Sequence, residues 1–301
     1  MKTIFMGTPD FAARALEAII NKGHEVVAVY TQPDKPKGRS KKLVPSEVKV
    51  MAEKYDIPVF QPVKLREAEN VEKIKELDPE IIVVAAYGQI LPLSILEIPE
   101  YGCVNIHASL LPKYRGAAPI ERCIIDGEEK TGVTTMYMAE GLDTGDMLIK
   151  ASTEIGKDET AGELHDRLAL MGADVLKETL QHLEDGTLKP EKQDDSLSCY
   201  APKLTKDMCP VDFNMTAQQV HDRIRGLSPW PCAVTEIAGK RLKIYKSTLK
   251  GKKYDLPAGT IADKNDLTIV CGDGYSVTFT EVQADGGKRM KTADYLRGNR
   301  I

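Results

Sequence analysis

Residues 1–31 read MKTIFMGTPDFAARALEAIINKGHEVVAVYT. Residues 2–6 are a short apolar strand, Gly7-Thr8-Pro9 a turn, and 11–20 a helical run closed by Gly23. A Val-rich strand follows at 25–31. The alternation continues downstream. Helices are expected at 48–55 and 65–77, with Pro58 and Pro62 bracketing a short strand between them. Residues 81–86 are continuously apolar, as in a strand buried on both faces. Further strands are expected at 104–107, 132–138 and 147–153. The longest helical pattern, 160–183, carries Leu164, Leu168, Met171, Val175, Leu176 and Leu180 on one stripe, and Thr160 with Glu163 can form its capping box. Strands alternating with helices over short loops imply an α/β fold with a doubly wound, mostly parallel Rossmann-like sheet. The first turn, Gly7-Thr8-Pro9-Asp10-Phe11, holds one glycine and so lacks the G-x-G-x-x-G that brings backbone amides onto a pyrophosphate. With no phosphate-binding P-loop elsewhere in the chain, a nucleotide cofactor is not expected.

The composition changes after this half. Residues 186–206 are polar and broken by Pro190 and Pro202, as a linker would be. Beyond a short helix at 216–225, the chain is strand-rich at 233–237, 242–249, 259–262, 267–271 and 275–282, which suggests a small OB-like β-barrel. The expected division is a catalytic domain over 1–188, a linker over 189–206 and an OB-like domain over 207–301. Net charge is −4, but residues 206–301 carry 16 Lys and Arg against 11 Asp and Glu, and residues 1–205 carry 25 against 34. A basic second part on an acidic first part fits either a polyanionic partner for one domain or a solvated surface.

The chain is long enough, at 301 residues with 42% hydrophobic content, for two domains with their own cores, which excludes a mostly disordered protein. No apolar run approaches the ~20 residues of a membrane span. Asp10, Arg14 and Glu17 interrupt the stretch a signal peptide would keep apolar, so no export and no membrane partner are expected. Six scattered cysteines, at 103, 123, 199, 209, 232 and 271, contain no C-x-x-C pair and fit reduced thiols in a cytoplasm. No metal site is expected: His24, His165, His182 and His221 lack ligand spacing and read as structural or surface groups.

The chemistry concentrates in Asn105-Ile-His107-Ala-Ser109-Leu-Leu-Pro112-Lys-Tyr-Arg115-Gly116. Two residues apart on a strand, Asn105 and His107 share a face. A carboxamide there can hydrogen-bond a developing oxyanion, and an imidazole beside it can stabilise or move protons. The loop 140–146 supplies Asp143 and Asp146 as carboxylates to orient the imidazole. A turn asparagine and a structural histidine are the plainer alternative.

These residues, together with Leu142-Asp143-Thr144-Gly145-Asp146, resemble the 10-formyltetrahydrofolate-dependent formyltransferases. MGTPDF at the start, QPDKPKGRSKKL at 32–43 and the Ser228-Pro229-Trp230-Pro231 turn resemble the branch that formylates methionyl-initiator tRNA. The resemblance covers both domains. It implies that Asn105, His107 and Asp143 are catalytic, and that 10-formyltetrahydrofolate is a consumed co-substrate. It further implies a folate site from Ser109, Leu110, Leu111 and Pro112, walled by Gln89 and Leu91 on one side and by Met138 and Leu142 on the other. For Leu91, Leu110 and Leu111, simple core packing is the alternative. The segment 31–44 holds Lys35, Lys37, Arg39, Lys41 and Lys42 against Asp34. The resemblance makes it the insertion that meets the tRNA, with Arg39 foremost and with Lys203 and Lys206 extending the track; a solvated loop is the alternative. A monomer is expected. The rival functions are transfer to a 4-amino-sugar nucleotide, and tRNA binding without catalysis.

Overall fold

In the computed structural model, which describes residues 1–37 and 42–299, the apolar start forms strand Lys2–Gly7, helix Asp10–Asn21 and strand Glu25–Tyr30. Ile4, Phe5 and Met6 are wholly buried because this strand runs through the middle of a seven-stranded sheet. Across the sheet the order is Met147–Glu154, Lys130–Tyr137, Cys103–His107, Ile81–Ala85, Lys2–Gly7, Glu25–Tyr30 and Val59–Phe60. Lys2–Gly7 pairs in parallel with both neighbours, Ile4 lying opposite Ala28 and Phe5 opposite Val83. The chain builds outward from Lys2–Gly7 on one side and then returns to its other side, which opens a crevice at the carboxyl ends of the strands.

The parallel run ends at Cys103–His107. Its next neighbour, Lys130–Tyr137, is antiparallel, with Thr134 opposite His107 and Tyr137 opposite Val104. Met138 accordingly starts its loop beside Cys103, its amide donating to the Cys103 carbonyl. That is the end of the strand away from His107, so the 138–146 loop must run back over about 13 Å of strand to meet the imidazole.

The chain divides into two units: residues 1–116, 132–152 and 166–200, and residues 117–131, 153–165 and 201–301. The second unit holds an antiparallel sheet ordered Ala233–Ile237, Lys240–Leu249, Ser276–Ala284, Thr268–Val270 and Ile261–Asp263, with Met290–Lys291 added to Ser276–Ala284. Register slips on either side of Lys246 mark bulges, which bend a strand and curl the sheet into the half-barrel of the expected OB-like type. Leu242, Ile244, Phe279 and Val282 bury their side chains beneath helix Ala217–Gly226. Thr216 and Gln219 close that helix's start in a reciprocal capping box. Helix Pro119–Ile125 packs on the same helix, so tightly that a Cβ on Gly226 would lie 2.5 Å from Ile125 Cγ1.

Among the described residues of this unit, Asp222 and Arg225 are buried charges, and they are paired. Arg225 Nε donates to Asp222 Oδ1 at 2.8 Å, Gln218 Nε2 donates to both Asp222 oxygens at 3.0 Å, and Arg225 Nη1 reaches the Gly156 carbonyl. His221 is also internal, its ring nitrogens 2.9 Å from Ser247 Oγ and from the Lys157 carbonyl. The Thr160–Glu163 capping box forms as expected ahead of helix Ala161–Glu184. All six cysteines are free, and five are buried. Among the described residues no helix is long and apolar enough to cross a membrane.

Candidate active site

Asn105 and His107 project together from Cys103–His107, the first half-buried and the second buried. His107 Nε2 lies 2.8 Å from the carbonyl oxygen of Tyr114. A carbonyl only accepts, so Nε2 carries the hydrogen and Nδ1 is the nitrogen turned towards Asp143. Nδ1 stands 3.7 Å from Asp143 Oδ2, and the same oxygen accepts the Gly116 amide at 2.8 Å. At this distance the two groups stand close without forming a short hydrogen bond.

The backbone that delivers these groups is strained. Tyr114 and Asp143, on either side of the imidazole, both take left-handed conformations, with φ of 60° and 51°. Gly116, at φ 121°, supplies the conformation that turns its amide to Asp143. Gly145 is required by space: a Cβ there would fall 1.8 Å from the Tyr137 carbonyl oxygen. The 109–113 turn is clamped from within. Ser109 Oγ donates to the Lys113 carbonyl at 2.7 Å, while Thr134 Oγ1 donates to the Ser109 carbonyl at 2.7 Å and accepts the Leu111 amide at 3.2 Å. Among the described residues no protein group hydrogen-bonds the Asn105 carboxamide, which is left to meet a ligand.

The remaining candidates fall in several places. Leu111 is buried with Met136 and Met147. Leu91 is buried in the sheet's core with Ile4, Met6 and Tyr87, where Met138 also packs. Leu110 and Pro112 are half-buried, and Leu142 is 58% exposed. The Gln89 carboxamide is taken up by the scaffold, accepting the Leu65 amide at 2.8 Å and donating to the Pro62 carbonyl at 2.9 Å.

Within the basic segment, Lys35–Lys37 and Lys42–Val44 form a two-stranded antiparallel hairpin in which Lys37 faces Lys42. Lys42 is exposed, and Arg39 and Lys41 lie outside the described residues. The root of the hairpin is clamped. Lys49 Nζ donates to Asp34 Oδ2 and to Gln61 Oε1, both at 2.9 Å, and Gln61 Nε2 donates to Asp34 Oδ1 at 2.7 Å. The hydrogen bonds from Gln61 and then Lys49 hold the Asp34 carboxyl below the usual carboxylate range. Lys203 and Lys206 are exposed in the second unit.

Sequence reading missed the Tyr114 carbonyl, the Gly116 amide and Gln193, which donates to the Asp143 carbonyl at 2.8 Å. The first two are backbone groups, which no residue type announces. For Gln193, the one signal was an amide side chain within an otherwise charged run.

The family description "Formyl transferase" matches residues 1–180, and "Formyl transferase, C-terminal domain" matches 203–300. The chain is 54% identical to a methionyl-tRNA formyltransferase of Geobacter metallireducens, covering 100% of this chain and 96% of that one. It is 51% identical to the methionyl-tRNA formyltransferase of Ruminiclostridium cellulolyticum, covering 100% and 97%. Among solved structures, the fold is shared with an N-formyltransferase from Helicobacter canadensis in complex with folinic acid and dTDP-3-aminofucose (TM-score 0.73, 22% identity, 93% of this chain and 98% of that one). It is shared as well with HypX from Aquifex aeolicus in complex with tetrahydrofolic acid (TM-score 0.67, 17% identity, 98% and 47%).

Proposed function

The chain belongs to the methionyl-tRNA formyltransferase family, and on that footing we propose that Asn105, His107 and Asp143 carry the formyl group from 10-formyltetrahydrofolate to the α-amino group of methionyl-initiator tRNA. The observation that supports this site most directly is the unpartnered Asn105 carboxamide, two residues before an imidazole held between the Tyr114 carbonyl and Asp143.

In the reaction the α-amine attacks the formyl carbon, a C–N bond forms, and the carbonyl oxygen takes up negative charge. Asn105 Nδ2 donates to that oxygen, and among the described residues no protein group competes for it. His107, with Nδ1 opposite Asp143, takes up the proton lost by the amine on Nδ1 and returns it to N10 of the folate as the old C–N bond breaks, so that the imidazole ends as it began. No covalent enzyme intermediate is needed, and orientation with oxyanion stabilisation supplies most of the acceleration. The buried Leu111 and Leu91 hold the shape of the folate pocket, while Leu110, Pro112, Leu142, Ser109, Gln89 and Met138 line or support it.

The tRNA contacts are assigned to Lys37, Arg39, Lys41 and Lys42 of the basic segment and to Lys203 and Lys206. Lys42, Lys203 and Lys206 are exposed, as cations that meet phosphate are, and the Asp34–Lys49–Gln61 clamp holds the root of the strand pair that carries Lys42. The decisive experiment offers 10-formyltetrahydrofolate with methionyl-initiator tRNA, free methionine or a 4-amino-sugar nucleotide. Formylation of the charged tRNA alone is expected, with Asn105→Ala losing on the order of 10²–10³ in kcat. Transfer to the sugar nucleotide would overturn the acceptor assignment.

A further inference from the structure

One carboxamide can donate two hydrogen bonds and accept two, and when all four are made it fixes the separation of the groups it joins. Gln193 makes four. Its Nε2 donates to the carbonyls of Asp143 at 2.8 Å and of Gly145 at 2.7 Å. Its Oε1 accepts from Arg115 Nε at 3.0 Å and from Arg115 Nη2 at 2.8 Å. Gln193 is half-buried, while the residues around it from 191 to 197 are exposed. Arg115 Nη2 also reaches Asp195 at 2.7 Å, but that carboxylate is 81% exposed and the pair contributes little.

Arg115 stands between the two residues that support the site. Tyr114 before it accepts the hydrogen of His107 Nε2, and Gly116 after it donates to Asp143. The segment that carries Gln193 grips this tripeptide a second time: the Cys199 carbonyl accepts the Arg115 amide at 3.0 Å, and Cys199 Sγ accepts the Tyr114 amide at 3.2 Å. Both partners of the imidazole are thus tied to residues 193–199, a stretch whose composition reads as a linker.

We propose that Gln193 is a positioning residue for formyl transfer, setting the distance between Asp143 and His107 by joining the 143–145 turn to Arg115. It touches no reacting atom. Asp143 sits in a strained left-handed conformation, and the two carbonyl bonds from Gln193 hold its turn there. Without them the turn relaxes and the carboxylate leaves Nδ1. The proposal rests on the catalytic reading of Asn105, His107 and Asp143.

The test measures kcat and KM for both substrates in wild type, Gln193→Ala, Gln193→Glu and Asp143→Asn, and in the double variant Gln193→Ala/Asp143→Asn. Gln193→Ala is expected to lower kcat about 10- to 100-fold, as a misplacement near 1 Å does, with both KM values little changed. Gln193→Glu keeps the pairing with Arg115 but sets an oxygen against two carbonyl oxygens, and it loses kcat likewise. In the Asp143→Asn background, Gln193→Ala should cost less than about twofold, because no charged partner is left to aim. The same factor lost in both backgrounds, a loss confined to KM, or wild-type rates in either Gln193 variant would overturn the proposal. If Gln193→Ala does not fold, the Glu substitution is carried through both backgrounds instead. Failure of wild type to formylate, or full activity in Asp143→Asn, would sink the underlying catalytic reading rather than this one.

Discussion

His107 Nδ1 stands 3.7 Å from Asp143 Oδ2, the oxygen that already receives the Gly116 amide at 2.8 Å. The carboxylate is therefore oriented by the backbone, and the imidazole meets it across a gap longer than a hydrogen bond. On the proposed function, this contact is expected to tighten when substrate fills the site.

Asp143→Asn separates the two roles. An amide oxygen can still accept from Gly116, so the turn should persist and the melting temperature should move by no more than about 2 °C. The charge opposite His107 is lost, and kcat for formyl transfer should fall on the order of 10²-fold. Wild-type kcat in this variant would remove Asp143 from the chemistry.

The basic segment at 31–44 should act through phosphate charge. Lys42→Ala and Arg39→Ala should raise KM for the charged tRNA and leave kcat nearly unchanged. Each should also lower the slope of log affinity against log salt by about one unit for every phosphate that the side chain had neutralised. Titrations between low and moderate salt check this, and an unaltered slope would show that the cation was only solvated.

The second unit depends on its buried ion pair. Asp222→Ala leaves Arg225 buried without its carboxylate, and breaking such a pair costs about 3–5 kcal/mol. Urea unfolding should show this loss, with a smaller one for Asp222→Asn. A change below about 1 kcal/mol would mean that the Gly156 carbonyl and its neighbours suffice for the guanidinium.

His24 gives stability a pH dependence. Burial lowers its pKa below 6.5 in the folded protein, so between these two values the unfolded chain binds more protons. Its contribution is fully present above about pH 6.5 and is lost as pH falls through the lowered value, with a slope of at most about 1.4 kcal/mol per pH unit. His24→Phe keeps a buried ring without titration. Equal slopes for the variant and wild type between pH 8 and 5.5 would contradict the assignment.

The elements legible in the sequence were those that bury a continuous or periodic apolar surface. Ile81–Ala85 is five apolar residues, all buried, and Asp10–Asn21 buries Phe11, Ala12, Ala15, Leu16 and Ile19 on one helical stripe. The short pieces were not legible. Leu93–Leu96 is one turn of helix, and Pro119–Ile125 is a seven-residue helix that owes its place to packing on Ala217–Gly226. Asn105 and His107 could be paired from strand alternation alone, whereas the third partner, Asp143, had a rival in Asp146 until the fold brought its loop back along the strand. In the linker-like stretch near residue 190 the charges are solvated while Gln193 turns inward, which composition alone does not reveal.

The second unit is interleaved along the chain, and this has a consequence during synthesis. Pro119–Ile125 leaves the ribosome roughly 100 residues before Ala217–Gly226, which at about 5–20 residues per second is a wait of about 5–20 s. Throughout that interval Ile124 and Ile125 lack the helix that later covers them. A nascent chain in this condition exposes a sticky apolar face, so the completed enzyme depends on holding that face apart from other chains until its own second half arrives.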